Sequence, residues 1–249
     1  MHMVSAVSRE QRTAARVVGL AYLLALPPAV FAEFVVLGRL VSSDAAETAR
    51  NIVAHERLFR LGIASNLSVF ALDVALIAAL YVTLKPVHRG LALLAALWRM
   101  IETATLVGTT LNDFTVLRLL SGVDYLHNFE PERLQALARL AISAHGAGYN
   151  VGLFFAGLGS TVFCCLWLES GFIPKALAAW GVFSSALLGA CAFAFIVFPE
   201  LAKFVAVEIY GTPIFLFELT MGFWLLLKGL PPSGVAPDRV SGSAQAGAV

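Results

Sequence analysis

Arg99 and Glu102 stand three residues apart inside an otherwise apolar stretch of this 249-residue chain. On a helix that spacing puts both side chains on neighbouring turns of one face. Thr103, Thr110 and Asp113 fall on the same arc, about 100° wide at helical periodicity. A carboxyl beside a guanidinium can give a proton to a bound molecule or take one from it, with the guanidinium setting the local field. The plainer use of these residues is an ion pair that ties helices together and does nothing else. Glu218 lies in a later apolar stretch and shares one face with Glu208, Gly211, Phe215 and Gly222, with no basic residue nearby on its own helix. It therefore carries a proton or meets a cation from another helix. Arg99 is the Arg or Lys at matching depth, so an Arg99 serving both Glu102 and Glu218 would form a buried triad. Glu102, Glu218 and Arg99 are the candidate catalytic residues.

A wider set of polar residues shares these apolar stretches. Asn66 and Asp73 lie seven apart on one helical face, with Arg60 expected at its outer mouth. Glu33 falls on the same side as Tyr22, and Pro27 and Pro28 between them should kink that helix and free a carbonyl or two. His145, Tyr149 and Asn150 neighbour Gly148, Gly152, Ala156 and Gly159, small residues at the spacing of a helix-packing face. Asp73, His145, Tyr149, Asn150, Glu33, Arg60 and Asp113 are the candidate binding and relay residues. Their distribution predicts a vestibule open to one side of a membrane, ending in a charged floor at mid-depth.

Composition dictates the solvent for these groups. The chain is 59% hydrophobic and 13% charged, with a mean hydropathy of +0.82, against about 45–50% and about 25% in soluble domains. Disorder is excluded by these figures. The net charge of +1 without a basic tract excludes a nucleic-acid binder, and three cysteines exclude a disulfide-stapled module. Crossing the hydrocarbon layer takes about 20 apolar residues in a helix, and six stretches qualify: 17–37, 61–84, 91–111, 143–168, 176–198 and 205–227. The fold class is therefore all-α, a polytopic membrane bundle, because lipid cannot satisfy an open backbone. Residues 42–59 and 121–142 carry helix signals, Ser43 and Asp44 before one and Pro131 at the start of the other. They predict two short amphipathic helices on the outer surface. Residues 1–16 precede the transmembrane domain of 17–229, and the Pro/Ser/Gly/Ala-rich 230–249 should be a disordered tail.

Basic residues fall equally on the two sides, but Lys85, Arg89 and Lys175 sit in short turns, which weigh most in setting orientation. That predicts cytoplasmic N- and C-termini in a bacterial inner membrane. The chemistry of familiar motifs is missing: no HExxH, no zinc-spaced His/Cys pair, no Walker loop and no nucleophile elbow. No metal and no cofactor are expected.

The segments RVVGLAYLLAL (16–26), AHERLFRLGIASNL (54–67) and LYVTLKPVHRGLALLAALWRMIE (80–102), with ESGFIPKALAAWGV (169–182) and FELTMGFWLLLKG (217–229), resemble a bacterial membrane group. As a set they are similar to the domain-of-unknown-function family numbered 4386, over about Arg16 to Gly229. The resemblance implies a polytopic bacterial membrane protein and carries no activity. It also implies that Arg60, Arg99, Glu102 and Glu218 align with the family's charged residues.

Three functional classes fit the sequence. The first is an intramembrane enzyme or binder for a lipophilic small molecule, isoprenoid or lipid-like, with Glu218 and Glu102 as acid/base groups and Arg99 tuning them. The second is a proton-coupled transporter using the same carboxyls as a relay; the absence of a recognisable inverted repeat counts against it. The third is a non-catalytic membrane partner protein whose polar stripe is helix glue. Membrane lipid is the expected surrounding in all three.

Overall fold

The computed structural model describes residues 7–126, 128–205 and 207–231. His127 and all but the first two residues of the expected tail lie outside them. No strand occurs among the described residues. The chain begins with a capping box in which Ser8 Oγ accepts from Gln11 N–H at 3.1 Å while Ser8 N–H donates to Gln11 Oε1 at 3.0 Å. Helix α1 (Arg9–Val30) follows and runs on through a π-helical stretch, Phe31–Leu37, into a last turn at Gly38–Leu40. The cause is local. Pro27 and Pro28 lack the N–H groups that the preceding carbonyls need, and the widened turn begins three residues after the pair.

Helix α2 (Ala45–Ala54) is short and capped by Asp44, whose Oδ1 accepts from Ala46 N–H at 3.0 Å. Asp44→Ala removes this cap and is expected to cost about 1 kcal/mol locally. Faster amide hydrogen exchange confined to α2 would register the change.

Then come α3 (Glu56–Leu84), α4 (Arg89–Leu119), α5 (Pro131–Ser170), α6 (Lys175–Val197) and α7 (Val207–Leu227). Six of these seven helices are long and apolar enough to cross a membrane: α1 with its extension, and α3 to α7. Leu24, Leu97, Leu111, Phe183 and Phe193 turn outward and are half or more exposed, the arrangement lipid favours and water does not.

Of the two segments expected as surface helices, α2 stands apart. The other, from Pro131, is continuous with span four, because no proline or left-handed glycine interrupts the 40 residues before Gly171 (φ +65°). At 1.5 Å per residue α5 is about 60 Å long, so its first turns extend past the hydrocarbon and α2 leans against them.

Each span packs on the next in the chain, α1 on α3, α3 on α4, α4 on α5, α5 on α6 and α6 on α7, and α7 closes on α1. The result is a ring of six. Two apolar clusters plug its ends. At the end where the chain enters, Val18, Leu80, Leu84, Trp167, Met221 and Leu225 pack together. Gln11 Nε2 reinforces that end by donating to the Thr83 carbonyl at 3.1 Å. At the α2 end, Val36, Leu40, Ile52, Phe59, Ile63 and Val116 fill the space. What lies between the plugs is the site.

Candidate functional site

Glycines set how closely α5 approaches its neighbours. A Cβ on Gly159 would lie 2.7 Å from Arg99 Cγ and 2.8 Å from the Ala95 carbonyl, and one on Gly152 would lie 2.7 Å from Leu106 Cδ2. The bare backbone of α5 thus lets the Arg99 stem lie flat between α4 and α5 and pushes its head inward. There the guanidinium bridges two carboxyls. Nη1 is 3.0 Å from Glu102 Oε1 and 2.8 Å from Oε2, and Nη2 is 3.3 Å from Asp73 Oδ1 on α3. Arg99, Glu102 and Asp73 are all buried. Thr103 Oγ1 donates to the Arg99 carbonyl at 3.0 Å and holds the same turn.

The second acid on Arg99 is therefore Asp73, where depth alone pointed to Glu218. The short 85–88 turn makes α3 and α4 antiparallel neighbours and brings Asp73 within reach; Glu218 comes from α7, which packs on α1 and α6 instead. Glu218 forms no ion pair within 4 Å among the described residues, and its remaining accessible surface faces the interior of the ring.

That interior is a cavity of about 630 Å³ with walls from all six spans. Asp73, Arg99, Glu102 and Glu218 line it, with Glu33 and Tyr149 toward the α2 end. Glu33 sits on the π-helical stretch and its Oε1 has no hydrogen-bond partner. Aromatic side chains fill much of the remaining wall: Tyr22, Phe34, Phe70, Tyr210 and Phe215. Tyr210 and Phe70 escape a sequence reading because nothing distinguishes them from lipid-facing aromatics until the ring closes; Tyr22 and Phe215 are visible on the faces of Glu33 and Glu218.

Among the described residues three of those lining the cavity are exposed, Val30 at the end of α1, Phe34 on its π-helical extension and Thr212 on α7. All lie where these two helices separate. The helices meet tightly lower down, where a Cβ on Gly19 would stand 2.9 Å from the Gly222 carbonyl oxygen. Pro27 and Pro28 in α1 and Pro213 in α7 mark the level of divergence. The exposed lining residues thus place an opening between α1 and α7, while the α2-end cluster is built from the α1 extension and α2 to α5.

His145 and Asp113 form a second polar pair behind the wall, with Nδ1 and Oδ1 3.0 Å apart but off the line of a hydrogen bond, and Nε2 also lacks a partner. Tyr149 connects the pair to the cavity by stacking on His145, ring centres 6.1 Å apart and 13° between planes. Two expected site residues are elsewhere. Arg60 is exposed on the first turns of α3 and pairs with Glu56 at 2.7 Å, because the helix starts four residues before it and the two charges fall one turn apart on its solvent face. Asn150 is half-buried outside the cavity wall, on the next position round from Tyr149. Among the described residues no group of three His, Cys, Asp or Glu side chains is placed to hold a metal ion.

Fold and site together define a multi-pass membrane helix bundle with a charged, laterally open chamber. The chain belongs to the family described as "Domain of unknown function (DUF4386)", whose profile matches residues 17–229, from within α1 to the end of α7. Comparison with curated proteins and with solved structures returns no match.

Proposed function

We propose that this protein binds a lipophilic small molecule, isoprenoid or lipid-like, which enters from the bilayer between α1 and α7. The observation that carries this reading is the 630 Å³ cavity whose wall is mostly aromatic and aliphatic, with a few ionisable groups, Asn66 and Thr212, the composition of small-molecule sites in general. A helix-glue role for the Arg99 ion pairs needs no such space beside them, and the mouth's apolar rim of Val30 and Phe34 favours arrival from lipid. In this reading Glu218, unpaired at the wall, is the group that exchanges a proton with the ligand, while Arg99 holds Glu102 and Asp73 in place. The unit that does this is 17–229. The basic residues of the short turns support cytoplasmic termini in a bacterial inner membrane.

Ala29 lines the cavity just inside the mouth. Protein purified in mild detergent is expected to yield a lipophilic compound by mass spectrometry of its organic extract, near one per chain. Ala29→Trp, with an unchanged thermal transition, should lose most of it. An extract containing only bulk membrane lipid, equal in both proteins, would reject the proposal.

A further inference from the structure

Resting on that reading of the cavity, we propose that its ligand is a lipophilic organic cation. Four carboxyl groups line the cavity, Glu33, Asp73, Glu102 and Glu218, against one guanidinium, Arg99. That guanidinium is already engaged on two sides, by Glu102 at 2.8 Å and by Asp73 at 3.3 Å. Among the described residues nothing positive is left over in the wall for an anion, so a carboxylate or phosphate entering the chamber would find no counter-ion in a poorly screening medium. A cation entering it meets the reverse. Glu218 has no ion pair among the described residues, and Glu33 Oε1 accepts no hydrogen bond; these two carboxyls lie on α7 and α1, the two helices of the mouth.

The aromatic wall points the same way. Tyr22, Phe34, Tyr149, Tyr210 and Phe215 line the space between those carboxyls, and ring faces attract desolvated cations. Two features of the cavity thus select independently for positive charge, the surplus of carboxyls and the aromatic enclosure. The apolar rim at Val30 and Phe34 requires that the charge be carried on a lipophilic frame able to reside in the bilayer.

Tetraphenylphosphonium and tetraphenylborate are nearly the same shape and opposite in charge, and they make the test. With the full-length protein in nanodiscs, radiolabelled tetraphenylphosphonium is expected to bind saturably at one site per chain. Tetraphenylborate should show only the non-saturable uptake of empty nanodiscs. Glu218→Gln and, separately, Glu33→Gln should each weaken tetraphenylphosphonium binding at least tenfold, with thermal transitions unchanged. Ala29→Trp should abolish it. Equal binding of the two ions, or a tetraphenylphosphonium affinity indifferent to both carboxyl substitutions, would overturn the cation assignment. A neutral compound in the organic extract of the preceding experiment would also overturn it while leaving the lipophilic-ligand reading intact. Absence of saturable binding by either ion, together with an extract of bulk lipid only, would overturn the lipophilic-ligand reading as well.

Discussion

Replacing Arg99 by leucine is expected to destabilise the bundle by about 3–5 kcal/mol, the cost of leaving buried charges without their partner. Arg99 is the counter-ion of both Asp73 and Glu102, at 3.3 Å and 2.8 Å, and all three side chains are buried. Removing it confronts two carboxyls with each other in a low-dielectric wall. Protons will be taken up to relieve the repulsion, but each neutral acid then lacks the donors it had. The triple change Arg99→Leu, Asp73→Leu and Glu102→Leu removes every charge at once and should recover most of the loss, since a buried ion pair replaced by apolar residues is often neutral. Thermal unfolding of the purified variants in one detergent distinguishes the two cases. A triple variant no more stable than Arg99→Leu would show that the ionic centre contributes packing or specificity that charge neutralisation does not restore.

The second large effect is expected at Gly157. A Cβ there would lie 2.3 Å from the Gly189 Cα and 2.6 Å from its nitrogen, so any side chain drives α5 from α6 along the whole contact. In lipid, helices associate through close van der Waals packing rather than by escape from water, and parting them forfeits that packing. Gly157→Val should cost about 3 kcal/mol, the upper part of the range for overpacking. Gly146 is the control on the same helix: nothing lies within 4 Å of its Cβ position. Gly146→Ala should be neutral or stabilising by about 0.5–1 kcal/mol through helix propensity. If both substitutions had the same effect on thermal unfolding, the close approach of α5 to α6 would be wrong.

Much of this structure was legible from residue order because the bilayer imposes its own arithmetic on length and polarity. The six spans needed only apolar runs. The polar stripe of α4 needed only the period of the helix, and Arg99 with Glu102 followed from their spacing. The residues Gly148, Gly152 and Gly159 read correctly as a packing face, and the structure adds that their partner is α4. What could not be read was which helices stand side by side. Asp73, Arg99 and Glu218 lie at similar depths, so depth alone allowed either acid to meet the arginine, and only the adjacency of α3 and α4 decided for Asp73. The apolar cluster at the α2 end was hidden for the same reason, since Val36, Ile52 and Phe59 come from three separate helical segments. Arg60 was assigned to a mouth on the strength of charge, and it is a solvated residue with a neighbour one turn away.

The seam between α1 and α7 has a consequence for how the molecule is made. Apart from a minor contact of α3 with α5, the other contacts between spans join consecutive ones, which can pair as each one leaves the ribosome. The seam joins the first to the last. Until α7 is synthesised, the ring has five members and the carboxyls of α1, α3 and α4 look through a gap one helix wide into lipid. A chain stopped at Val197 would keep that ionic centre facing lipid, where exposed charge is costly. The arrival of α7 thus closes the ring where it meets α1 at Gly19 and Gly222, and leaves the mouth above that contact.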